Sequence, residues 1–167
     1  LIAKLNKYDP DGANSDWWIL NMLRAVSDGD IIGAGTMSAE RDYTCHVFSQ
    51  ELEDARVAAG MQPVPWNIIS SLDATDIPFD HILFKTKEVP VMISTSAAGI
   101  PVIREKMEED YIIIGPVKDK SEVTDEMIAE MKANTDKVIV IATGDKAPDS
   151  HVALYIMKKF GLDKVLV

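Results

Sequence analysis

Asp30-Ile31-Ile32-Gly33-Ala34-Gly35-Thr36 reads as a short buried strand running straight into a turn of small residues. Three other stretches follow the same pattern. The strand Trp66 to Ser70 ends in the turn Ser70-Ser71, and the strand Pro90 to Ser94 ends in Ser94-Thr95-Ser96-Ala97-Ala98-Gly99. Val138 to Ala142, the strongest strand in the chain, ends in Ala142-Thr143-Gly144. Tyr111 to Ile114 is a further apolar candidate, and a last strand begins at Lys164. Uninterrupted, β-branched strands of this kind belong to sheets covered on both faces.

Helical patterns lie between them. Ser15 is a candidate N-cap, Ile19, Met22, Leu23 and Val26 fall on one face, and Gly29 suits the position after the helix end. A second helix spans Gln50 to Ala59, closed by Gly60, Pro63 and Pro65. Thr124 caps a helix carrying Met127, Ile128 and Met131. Ser150 is expected to cap the last one, with Ala153, Ile156, Met157 and Phe160 inward and Gly161 at its end. Strands alternating with helices predict an α/β domain with a mainly parallel central sheet flanked by helices. We expect one domain across 1-167, with flanking segments missing at both ends, because Leu1-Ile2-Ala3 has no initiator methionine and Lys164 to Val167 stops without a turn.

Composition narrows the function. The 167 residues are 47% hydrophobic and 26% charged, which suits a globular domain. Acids outnumber bases 27 to 17, giving a net charge of −10, the wrong sign for a nucleic-acid binder. No apolar run approaches the roughly 18 residues of a spanning helix, so no membrane is expected. Cys45 has no second cysteine to pair with, and a reducing cytoplasm is the expected compartment.

The chemistry is expected where the strands end, since parallel sheets bind ligands at their carboxyl edge. Small residues let a backbone approach a ligand closely, and their N–H and hydroxyl groups suit phosphate oxygens. Four such turns on one edge would fit a long, phosphate-bearing ligand such as a dinucleotide. The Gly33-Ala34-Gly35 stretch is an incomplete dinucleotide fingerprint: Ser38 stands at its sixth position and no helix is expected to follow at once. No GxxxxGK[ST] loop is present.

Leu23-Arg24-Ala25, Asp28 to Ile32 and Gly33 to Glu40 together resemble the reductase domain of the riboflavin-biosynthesis deaminase–reductase, whose pattern here is LRA…DAILVGAGTVLAD. The likeness continues through Trp66 to Leu72, Ile77 to His81, Pro90 to Thr95 and Phe160 to Val167. The resemblance implies a dihydrofolate-reductase-like three-layer sandwich and a homodimer. It also implies hydride transfer from NADPH to a small-molecule substrate, an aminopyrimidine ribosyl phosphate or similar heterocycle. By the same likeness Thr36 and Glu40 match cofactor contacts, and Ser71, with Ser70 beside it, matches the serine near the 2′-phosphate. Gly33, Ala34, Gly35 and Thr95 complete the expected cofactor set, and Thr44 is the expected substrate contact. The chain departs from the family's D-P-x-L-T-x-R at Arg41 to Val47, with valine in place of the phosphate-binding arginine. The family's SLDG segment is not recognisable, its EGG turn would fall past Val167, and Lys106 to Lys137 is longer than usual. The alternative is a non-catalytic nucleotide-binding module of the same fold; a third reading is a structural domain whose turns only close the fold.

Other features read as structure. Cys45-His46 has no third orienting group for a nucleophile, and His46, His81 and His151 have no ligand spacing, so no metal is expected. Asp9-Pro10-Asp11-Gly12 is a solvated turn, not a calcium loop, and Glu105 to Asp110 is a solvated helix face. One of Trp17 and Trp18 is expected to pack in the core or at a subunit contact.

Overall fold

The computed structural model describes residues 10–108 and 110–167. Six strands are present among them: β1 (Gly29–Gly33), β2 (Trp66–Ser70), β3 (Val91–Thr95), β4 (Tyr111–Val117), β5 (Val138–Thr143) and β6 (Val165–Leu166). They form one sheet in the order β4-β5-β3-β2-β1-β6, and every neighbouring pair is parallel. The expected α/β class with a parallel central sheet is what the chain adopts.

Strand alternation supplies both faces of the core. Ile68, Met92, Ile139 and Ile141 point to one side, where α5 (Asp125–Ala133) brings Ile128 and Met131. On that side α6 (Ser150–Phe160) contributes Val152, Ala153, Ile156, Met157 and Phe160. Ile69, Ile93 and Val140 point to the other side, against Ala34 and Met37 of α2 (Ala34–Ala39), Ile103 of α4 (Ile100–Lys106), and Ala74, Ile77 and Leu83 from the connection after β2. The two helical layers complete a three-layer sandwich. Thr124 caps α5 as expected, accepting from the Met127 N–H at 3.3 Å. Gly161 ends α6 at φ +125°, a conformation few other residues adopt.

Several local expectations fail, each for an identifiable reason. The cap of α6 is Asp149, not Ser150, because its carboxylate reaches the N–H groups of His151 and Val152 at 2.9 and 3.1 Å. The first helix, α1 (Pro10–Val26), starts ahead of Ser15, whose hydroxyl bonds back to the Asp11 carbonyl at 3.0 Å. Pro10 to Gly12 therefore open a helix instead of a turn, while Asp9 and Leu1-Ile2-Ala3 lie outside the described residues. Gly29 is the first residue of β1 instead of the end of α1. Arg56, from α3 (Gln50–Ala58), closes α1 by donating to the carbonyls of Arg24, Ala25 and Ser27. A helix does follow Gly33 at once, since α2 begins at Ala34. Of the Glu105 to Asp110 stretch, α4 stops at Lys106; Glu105, Glu108 and Asp110 are exposed, and residue 109 lies outside the described residues.

The apolar face of α1 points outward. Ile19, Met22, Leu23 and Val26 face solvent, and Asn21, Arg24 and Ala25 face the protein. Trp17 is the half-buried tryptophan of the pair, with its ring centroid 5.3 Å from that of Phe48. Among the described residues no helix is long and apolar enough to cross a membrane.

Candidate functional site

The sheet order sets β5, β3, β2 and β1 side by side and parallel, so the carboxyl ends of all four lie on one edge. Their last residues are in register: Gly33 opposite Ser70, Ser70 opposite Ser94, and Thr95 opposite Ala142. The four turns expected to share an edge do share it, which is where a parallel sheet receives a ligand.

The edge has an open half and a closed half. Gly33, Gly35, Thr36 and Ser70 are exposed, and a Cβ added at Gly33 or Gly35 would meet nothing within 4 Å. Backbone is accessible there. Ala34 instead points into the core, and Glu40 is the half-buried C-cap of α2, its N–H donating to the Thr36 carbonyl at 3.0 Å. The Glu40 carbonyl is 2.9 Å from Nε2 of buried His81, whose Nδ1 accepts from the Leu83 N–H at 3.1 Å. With Nδ1 accepting, Nε2 carries the proton, and this neutral ring ties α2 to the connection that follows β2.

The closed half uses its donors internally. Buried Ser71 gives its hydroxyl proton to Asp76 and accepts from the Ala74 N–H at 2.9 Å. Thr95 is fully buried, with its hydroxyl 3.4 Å from the Leu72 carbonyl. Gly99 lies so close to it that a Cβ would come within 2.4 Å of Thr95 Oγ1, so only glycine allows this approach. The N–H groups of Ala97 and Ala98 donate to the carbonyls of Gly144 and Asp145 at 3.0 and 3.1 Å, stitching the β3 turn to the β5 turn. Thr143 accepts from the Asp149 N–H at 2.9 Å. Ser96 was not singled out from the sequence, yet its fully buried hydroxyl has no hydrogen-bond partner among the described residues. Nothing in its local sequence signals that.

Thr44 is not brought to this edge. Its hydroxyl lies 2.6 Å from Nδ1 of His46, and the N–H of the next residue, Cys45, donates to Asn67 Oδ1 at 2.7 Å. Asn67 precedes Ser70 by three strand residues, a distance of about 10 Å. This segment instead joins a buried polar network beneath α1. Arg24 Nε bonds Asp30 Oδ2 at 2.8 Å with both side chains almost fully buried, and Arg24 also donates to the Tyr43 hydroxyl. Burial pushes the Asp30 carboxyl up, against the pull of Arg24. Burial also opposes the charge on Arg24, but Cys45, Tyr43 and Asp30 around it together hold it above its ordinary value. Burial pushes the Cys45 thiol up to about 12, so it is no nucleophile near neutrality. The sequence signal for this network was a lone aspartate, Asp30, inside an apolar strand.

A broad, open depression of about 1410 Å³ lies at the opposite, amino edge, lined by Asp28, His46, Arg56, Pro90, Lys137 and Phe160 among others. Its one buried cation, Arg56, already serves the carbonyls that end α1. The carboxyl edge differs from it in carrying exposed backbone at Gly33 and Gly35. Among the described residues no three His, Cys, Asp or Glu side chains are grouped to hold a metal.

No known family's sequence profile matches the chain, and no curated protein matches it. In three dimensions it is similar to the crystal structure of a pyrimidine reductase-like protein from Corynebacterium diphtheriae, with a TM-score of 0.56 and 17% identity. The match covers 90% of this chain and 53% of the other, so the chain spans about half the length of that protein. At this identity the likeness shows a shared fold.

Proposed function

We propose that this chain is the nucleotide-binding part of an NADPH-dependent reductase acting on a small heterocycle of the aminopyrimidine type. One observation carries the proposal: a parallel edge with small-residue turns, open at Gly33, Gly35, Thr36 and Ser70, in a fold shared with a pyrimidine reductase-like protein. The open glycines fit the close approach that a pyrophosphate requires, and the exposed Thr36 and Ser70 hydroxyls fit its oxygens. When bound, NADPH supplies the hydride. Gly33, Gly35, Thr36 and Ser70 hold and orient the dinucleotide, while Ser71 and Thr95 shape the loops behind it instead of touching it. Glu40 acts through its backbone, keeping α2 docked on His81. Near the turns, Arg41 faces Asp80 and Lys118 faces Asp145.

Titration with NADPH and NADH tests this. Trp66 stands at the amino end of β2, about 13 Å of strand from Ser70. The dinucleotide's own fluorescence and calorimetry are therefore better readouts than tryptophan quenching. Saturable binding is expected, weakened about fivefold by Thr36→Val through loss of one hydrogen bond and abolished by Ser70→Glu. Absence of binding to either dinucleotide overturns the reading. A second reading, binding without turnover, is favoured by Val47 at the arginine position and by the distance of Thr44 from the edge. NADPH binding with no oxidation by any aminopyrimidine substrate supports it over the first.

A further inference from the structure

We propose that, on the reading of the carboxyl edge as a dinucleotide site, His81 is a proton-sensitive latch that regulates it, closed when the ring is neutral and released by acid. A chain of three hydrogen bonds runs from the interior to the edge. The Leu83 N–H donates to His81 Nδ1 at 3.1 Å, and Nε2 donates to the Glu40 carbonyl at 2.9 Å. The Glu40 N–H in turn donates to the Thr36 carbonyl at 3.0 Å. One end of the chain is buried Leu83, in the short 3₁₀ turn Ile82–Lys85; the other is Thr36, exposed beside Gly35. Helix α2 needs this support. It has six residues, far below the roughly 12 at which a helix holds on its own in water. Ala34 and Met37 fix its inner face, and three contacts tie its carboxyl end to the connection after β2. Two are exposed: the Ser38 hydroxyl on the Asp76 carbonyl at 3.5 Å, and the ion pair of Arg41 with Asp80. The third is His81, only 1% exposed. Exposed ion pairs contribute little, so the buried bond sets where the helix ends.

Only a neutral imidazole accepts at one nitrogen and donates at the other. An imidazolium would turn an Nδ1 donor towards the Leu83 donor, and would place a charge where water does not reach. The backbone of His81 cannot absorb that conflict. Its N–H is bound to the Pro78 carbonyl at 2.9 Å and its carbonyl to the Phe84 N–H at 3.2 Å. The protonated ring therefore swings out, drops the Glu40 carbonyl and loosens Thr36. The charged groups on the surrounding elements are Glu40, Arg41 and Asp42 on the α2 side, and Asp76, Asp80 and Lys85 on the other. All except half-buried Glu40 are exposed, where water screens them, and Glu40 meets the ring through its carbonyl. By linkage, a dinucleotide that binds the latched edge and a proton that opens it oppose each other, so acid weakens binding.

Hydrogen exchange at the Glu40 N–H, corrected for the intrinsic rate at each pH, reads the latch without any ligand. Between about pH 8 and about pH 5, where histidines change charge, the unmodified chain should lose protection there while β3 keeps its own. Two variants separate the two bonds of the ring. In His81→Gln the amide nitrogen stands near the place of Nε2, so Glu40 should stay protected at every pH. In His81→Asn the amide oxygen stands in for Nδ1 and nothing reaches Glu40, so protection should be low at every pH. Protection in the unmodified chain that ignores pH overturns the proposal, and so does an equal acid loss in His81→Gln. NADPH titrations over the same span read the site. Dividing the affinity of the unmodified chain by that of His81→Gln cancels the ligand's own titration. That ratio should fall about fivefold towards acid, the effect of one hydrogen bond. A constant ratio overturns the coupling of latch to site. Exchange that follows the proton in a chain that binds no dinucleotide supports the latch and overturns the reading of the edge instead.

Discussion

Helices α6 and α1 both repeat apolar residues at helical spacing, yet α6 turns Ile156, Met157 and Phe160 into the core, whereas α1 turns Ile19, Leu23 and Val26 to solvent. The difference lies in what else each helix carries. The inward face of α6 holds no polar side chain that needs a partner, so hydrophobic burial alone orients it. On α1, Asn21 finds the Phe48 N–H at 2.7 Å and the Trp17 carbonyl at 2.8 Å, and Arg24 finds Asp30, Tyr43 and the His46 carbonyl. Asp30 sits inside the sheet and would be left as a bare buried charge if α1 rolled over. An uncompensated buried charge costs more than several half-exposed apolar side chains, so the polar face wins the interior.

That account can be broken. Arg24→Ala removes the partner of buried Asp30 and should destabilise the chain by about 4 kcal/mol, the scale for breaking a buried ion pair. A urea unfolding midpoint measures it; a loss near zero would mean that α1 is not held by this pair. Ile156→Ala in α6 should cost about 3 kcal/mol through lost burial and the cavity left behind. Ile19→Ala in α1, measured on single chains at high dilution, should change stability by less than about 0.5 kcal/mol, as for an exposed position. Equal losses at the two isoleucines would contradict the inside-out arrangement.

The smallest effect concerns pH. Burial lowers the pKa of His46 in the folded chain below its ordinary value, so the unfolded chain takes up the proton first. Stability is therefore unaffected above the ordinary histidine range and falls as pH drops from that range towards the folded value. His46→Gln should flatten this part of a pH series of unfolding midpoints. A slope unchanged in the variant would assign it to another group.

The same contrast separates what the sequence made legible from what it did not. β2, β3, β5 and α6 were legible because their patterns are local: runs of Ile and Val for strands, and a four-residue apolar face with Gly161 after it. The shared carboxyl edge was legible too, since every parallel strand ends on the same side. Which hydroxyls on that edge remain available was not. Ser71 and Thr95 read like ligand donors, yet Asp76 and the Leu72 carbonyl take their protons, partners chosen by how the loop after β2 folds back. The place of Thr44 was not legible for a similar reason: the Asn67 side chain holds the neighbouring Cys45 backbone well back from the strand ends.

Composition and periodicity by themselves determined the α/β class, the parallel sheet and the small-residue turns, because local patterning dictates element type and strand burial. Only the tertiary structure decided which face of α1 points inward, which donors of the edge stay open and where Thr44 lies. Each of those depends on hydrogen-bond and ion-pair partners distant in sequence, such as Arg24 with Tyr43 or Arg56 with Ser27, and no local pattern encodes them.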